Sequence, residues 1–178
     1  MTKTKIISTI PAYISKYFRV DKVEIERNGK TFAKDILTRS SSVIILPIND
    51  QDEIYLVSQY RDSYQKVLLE TVAGHMEEGE TPLEAARKEL QEETGITAKT
   101  WKHLKKIHTS ANIHDEVNIF FATELTTGEQ NQDEDEDIEI VKIPFAEALS
   151  KIEKGEISVS SNIAAILLVD KLKKEGKL

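Results

Sequence analysis

The chain has 178 residues, 39% of them hydrophobic, with 24 basic and 31 acidic side chains, a formal net charge of -7 and no cysteine. That length suits one globular domain, or one with a small extension, and is enough chain to bury a core. The missing cysteines exclude disulfides, thiolate metal sites and a cysteine nucleophile, and no apolar run approaches the roughly 18 residues of a membrane helix.

Charge is distributed unevenly. Residues 129–139, EQNQDEDEDIE, hold seven acids and no base, and the rest of the chain balances at 24 against 24. No basic stripe exists to release counterions from a polynucleotide, so nucleic acid is not an expected partner. The opening MTKTKIISTIPAYISKYF is broken by polar residues and Pro11 and lacks the apolar centre of a signal peptide; with no membrane span, a cytoplasmic protein is expected.

In chain order, VEIERNGKTFAKDIL (23–37) places Asn28-Gly29 between strand-like runs, a hairpin signal because both turn positions need positive φ. SVIILPI (42–48), EIYLVSQY (53–60), KVLLETVA (66–73), EVNIFFAT (116–123) and IEIVKIP (138–144) are β-branched or aromatic runs bounded by turn residues, and predict strands of a mixed sheet. Between them, Thr81-Pro82-Leu83-Glu84 is a capping box with proline at the first helical position, and Gly95-Ile96 is a stop, so a helix is predicted inside 81–94. FAEALSKIEKG and SVSSNIAAILLVDKLKKEG predict two closing helices, each running into a glycine. This order of elements suggests sheet and helix layers; no glycine-rich phosphate loop is present. Phe32 and Tyr60, aromatics within strand runs, are expected in the core more often than against an adenine. The four histidines show no ligand spacing and are expected at the surface or in packing.

The central helix carries the chemistry. At about 100° per residue, Leu83, Ala86 and Leu90 share one arc, and Glu89, Glu92 and Glu93 a neighbouring one. Those glutamates stand at i,i+3 and i,i+4, where like charges destabilise a helix by a few tenths of a kcal/mol per pair unless a cation intervenes. Oxygen-only donors suit Mg²⁺ or Mn²⁺ better than zinc.

Gly74, Glu80, Glu89, Leu90, Glu92, Glu93, Gly95 and Ile96 fill eight of the nine positions of G-x5-E-x7-R-E-U-x-E-E-x-G-U, the ninth being Lys88 in place of arginine. The sequence resembles the Nudix hydrolases, and within them the ADP-ribose pyrophosphatases, through Gln59-Tyr60-Arg61, the Glu70 to Gly74 segment, and Ser110 and Glu116 in TSANIHDEVNIFFA. The resemblance implies an α/β/α sandwich around a mixed sheet, residues 41–178 forming the Nudix domain and residues 1–40 an N-terminal β-hairpin region that crosses to a partner in a homodimer. It implies metal-dependent hydrolysis of a nucleoside diphosphate sugar, most simply ADP-ribose to AMP and ribose 5-phosphate. Another nucleoside diphosphate derivative as substrate, or a nucleotide-binding domain without turnover, are the alternatives. Glu89, Glu92 and Glu93, with the Ala73 carbonyl, would hold Mg²⁺ or Mn²⁺, with Glu92 and Glu93 also counted as catalytic. Arg61 would meet the diphosphate by a bidentate contact, with Arg39, Glu70, Ser110 and Glu116 also at the substrate. Glu134 or Glu136, in the acidic run, would activate the attacking water.

Overall fold

The computed structural model describes residues 3–131 and 137–178. The chain forms two compact units, Met1–Ser41 with His108–Glu116, and Ser42–Ile107 with Val117–Leu178.

The first unit is a four-stranded sheet in the order β1-β2-β3-β8, from β1 (Lys5–Ile14), β2 (Phe18–Arg27), β3 (Lys30–Arg39) and β8 (Ile113–His114). The hairpin predicted at Asn28-Gly29 is the β2–β3 turn. Its two residues have φ of 54° and 70°, as a two-residue turn matching the strand twist requires. Val23 and Ile25 of β2 are buried. β1, not predicted, pairs antiparallel with β2 through two register shifts, and Ile6, Ile7, Ile10, Tyr13 and Ile14 along it are exposed. Phe32 is 44% exposed rather than in the core: it sits on β3 near the hairpin turn, opposite Ile25.

The second unit is built on a six-stranded mixed sheet, β10-β5-β6-β4-β9-β7. Its strands are β4 (Ser42–Pro47), β5 (Glu53–Arg61), β6 (Lys66–His75), β7 (Ile96–Ile107), β9 (Val117–Thr127) and β10 (Ile138–Pro144), joined by the helices α1 (Pro82–Thr94), α2 (Phe145–Glu153) and α3 (Ser160–Lys174). Central β4 runs parallel to β9 and antiparallel to β6. It is apolar at successive positions because both of its faces are covered. Ile44 and Leu46 pack with Phe145, Ala148, Ala165 and Ile166 of α2 and α3. Val43 and Ile45 pack with Ala85, Ala86 and Leu90 of α1. Strand alternation thus sends adjacent residues into two cores, and helix, sheet, helix is the three-layer sandwich the sequence implied. Each fully buried Val, Ile or Leu here contributes on the order of 1.5–3 kcal/mol.

β7 was not predicted; it lies at the sheet edge beside β9, and its exposed lysines are the charges an edge strand carries against further pairing. Tyr60, expected in the core, is 52% exposed, because it stands opposite Val67 near the tip of the β5–β6 hairpin, past the reach of the helices.

Candidate active site

α1 begins as the sequence reads. Thr81 is the N-cap, Glu84 N–H donates to its hydroxyl at 3.3 Å, and the Thr81 N–H donates back to Glu84 Oε2 at 2.9 Å. The first bond meets an orphan amide of the first turn, and Pro82 has none to meet; the Thr81 hydroxyl, donating to Glu84 Oε2 at 2.6 Å, and then the Thr81 N–H hold the Glu84 carboxyl below its usual range. The helix ends at Gly95, whose φ of 65° admits few other residues.

Between these caps the helix presents Glu89 and Glu93 to the end of β6. Glu93 is 4% exposed and accepts the Ala73 N–H on Oε2 at 3.3 Å; a carboxylate taken from water is tolerated only against such donors or a cation. Glu89 lies against Gly74. A Cβ built on Gly74 would stand 1.9 Å from Glu89 Cδ and 2.0 and 2.3 Å from its two oxygens. Any side chain at position 74 would push this carboxylate aside, and β6 is bare at the point where the helix delivers it. Glu92 is half-buried on the same arc.

Among the described residues no three His, Asp or Glu side chains are gathered into a ready-made cage. The glutamates of α1 offer oxygen donors only, the donor type that hard divalent cations take. The donor set of Glu89, Glu92 and Glu93 and the cleared strand at Gly74 fit such an ion.

Two further predicted residues meet each other. Arg61 Nε donates to Glu70 Oε1 at 2.9 Å and Nη2 to Glu70 Oε2 at 2.8 Å, with Glu70 buried. Glu70 thus fixes the plane of the Arg61 guanidinium, and a guanidinium carries five donors. Arg39, Ser110 and Glu116 belong to the first unit. Arg39 is exposed at the end of β3, and Ser110 Oγ accepts the Asn112 N–H at 3.2 Å. In the same segment the buried Asp115 accepts the Thr109 N–H at 3.0 Å and the Thr109 hydroxyl. Glu134 and Glu136 lie outside the described residues.

Two features escaped sequence reading. Lys88, in the motif's arginine position, pairs with Glu77 of the preceding loop, Nζ to Oε1 at 2.7 Å. This bond, and then the fields of Glu92, Glu77 and Glu89, raise its pKa against the opposing effect of burial. The same loop is closed by the Glu77 N–H donating to Glu80 Oε2 at 3.0 Å. The second feature is at the other end of the helix, where Asn131 N–H donates to the Glu92 carbonyl at 3.2 Å and Gln130 Nε2 to the Glu93 carbonyl at 2.7 Å. Nothing in an acidic run of sequence signals such bonds.

Helix carboxylates beside a strand cleared by glycine bring together oxygen donors of the kind an oxygen-preferring divalent cation takes. The NUDIX domain model matches residues 38–162. The ADP-ribose pyrophosphatase of Bacillus subtilis (strain 168) is 35% identical over 150 residues, covering 83% of this chain and 80% of that protein. The ADP compounds hydrolase NudE of Escherichia coli (strain K12) is 28% identical over 183 residues, covering 100% of this chain and 98% of that protein. A crystal structure of an ADP compounds hydrolase superposes with a TM-score of 0.87 at 28% identity, covering 99% of this chain and 97% of that one. The chain belongs to the Nudix family, and it is a Nudix pyrophosphatase.

Proposed function

We propose that the substrate is a nucleoside diphosphate sugar, ADP-ribose above others, cleaved by water at its pyrophosphate bond to AMP and ribose 5-phosphate. The observation that carries this reading is the Glu89 carboxylate lying in the space that Gly74 leaves open, with Glu92 and the buried Glu93 one turn on. The relatives named for ADP-ribose and ADP compounds support the choice of substrate.

In this reading Glu89, Glu92 and Glu93, with the Ala73 carbonyl, hold Mg²⁺, or Mn²⁺ in its stead. Bound there, the ion supplies charge neutralisation of the diphosphate and activation of water. The chain's own contributions are geometric. Gly74 clears the strand for Glu89, the Ala73 N–H fixes Glu93, and Glu70 sets the plane in which Arg61 meets phosphate oxygens. Arg39, Ser110 and Glu116 also serve the substrate, and Glu134 or Glu136 takes the proton of the attacking water. The water oxygen bonds to one phosphorus, the bridging P–O bond breaks, and the released proton leaves through the base.

Residues 41–178 are the hydrolase domain in this reading, and residues 1–40 form a homodimer; the exposed isoleucines and tyrosine of the β1 edge support a second copy as the partner. A cytoplasmic location fits a nucleotide substrate, and among the described residues no helix is long and apolar enough to cross a membrane. The test is hydrolysis of ADP-ribose compared with GDP-mannose, NADH and diadenosine polyphosphates in Mg²⁺. A clear preference for one of the others replaces ADP-ribose as substrate, and tight binding without turnover replaces the enzyme reading by a sensor.

A further inference from the structure

The C-terminal turn of α1 is electrostatically ill-placed. It has no basic residue, it carries Glu92 and Glu93, with Glu89 one turn earlier, and a helix C-terminus already bears partial negative charge that repels carboxylates. Its last carbonyls also lack partners within the helix. Gly95 N–H reaches only the Gln91 carbonyl, at 2.8 Å. The carbonyls of the two glutamates themselves are met from outside, that of Glu92 by the Asn131 N–H and that of Glu93 by the Gln130 side-chain amide. Both donors follow a close backbone crossing of Gly95 and Gly128, which leaves no room for a side chain at Gly95 and little at Gly128. A Cβ on Gly95 would lie 2.5 Å from the Gly128 carbonyl oxygen, and one on Gly128 would lie 3.0 Å from that of Gly95.

We propose that Gln130 is a positioning residue for the metal-binding carboxylates: its amide, delivered over the Gly95–Gly128 crossing, holds the last turn of α1 so that Glu92 and Glu93 keep their aim. The inference rests on the reading that these glutamates take the divalent cation. It requires a donor at position 130 long enough to reach a carbonyl. Glutamate there has the shape and lacks the donor, whereas lysine keeps a donor and complements the helix end.

The experiment measures Mn²⁺ binding to the whole protein by electron paramagnetic resonance of the free ion, and amide hydrogen exchange across residues 82–95 without metal, for the parent, Gln130→Glu and Gln130→Lys. Expected are a roughly 10-fold weaker Mn²⁺ affinity in Gln130→Glu, the scale of losing an outer partner of a ligand, and faster exchange confined to the last turn. Gln130→Lys should restore both. Mn²⁺ binding by Gln130→Glu equal to the parent's overturns the inference and leaves the metal site standing. Equal weakening in both variants overturns it too, since the donor then does not matter. A parent that binds no Mn²⁺ overturns the metal reading itself and the inference with it.

Discussion

Replacing Gly74 by alanine puts one methyl group where the Glu89 carboxylate now lies. The new Cβ would stand 1.9 Å from Glu89 Cδ, whereas ordinary contact begins at 3.4 Å. β6 cannot retreat easily, because Gly74 is paired with Val43 and its neighbours with Ile44 and Ser42 of buried β4. The carboxylate is therefore displaced by about 1.5 Å, and a misplacement of that order at a reacting centre costs roughly 100-fold in rate, or about 2.7 kcal/mol of transition-state stabilisation. The assay is kcat/KM for ADP-ribose across a Mg²⁺ titration, with a denaturation curve to confirm folding. The cause is isolated by a double-mutant cycle with Glu89→Ala: once that side chain is gone, the added methyl should cost little more. Parental kcat/KM in Gly74→Ala, or strict additivity of the two changes, would refute the reasoning.

Other outcomes follow from the surrounding structure. Thr81→Ala removes the N-cap of α1 and is expected to cost about 1 kcal/mol, read as a lower urea midpoint; because Glu84 is held below its usual range, the share that its ionised carboxylate adds to the cap is present above the unfolded carboxylate value and is lost as pH falls through the folded one. Thr71→Val breaks the buried bond from Thr71 Oγ1 to Asn162 Oδ1 and strands an acceptor in the core, so a loss of about 1–3 kcal/mol is expected in the same assay. Lys88→Met should change stability at pH 7 by less than about 1 kcal/mol, since both members of the Lys88–Glu77 pair face solvent. The pair's small contribution is present below the unfolded lysine value and is lost as pH rises through the raised folded one, so parent and variant should converge in strongly alkaline buffer.

Much of the fold was legible because local signals and tertiary packing agree. Asn28-Gly29 can form only a few turns, the Thr81 box and Gly95 mark both ends of α1, and the β-branched runs of β4, β5, β6, β9 and β10 are the buried strands. The two long strands missed lie at sheet edges. β1 contains Pro11, which cannot donate to a ladder, and β7 alternates lysine with partly buried residues without a clean apolar face. Of the site, the carboxylate arc could be read from helical periodicity alone. The pairing of Arg61 with Glu70 across the β5–β6 hairpin, the seat of Glu89 on Gly74, and the Gln130 bond depend on tertiary approach, and no spacing in the sequence encodes them.

The most direct test of the central claim is incubation of the purified protein with ADP-ribose and Mg²⁺, with products separated by ion exchange, beside a chelated control and Glu93→Gln. AMP and ribose 5-phosphate are expected from the parent, none in the chelator, and a rate at least two orders of magnitude lower in Glu93→Gln, on the scale of removing a group that stabilises the transition state. Turnover that survives chelation, or is untouched by Glu93→Gln, would contradict it.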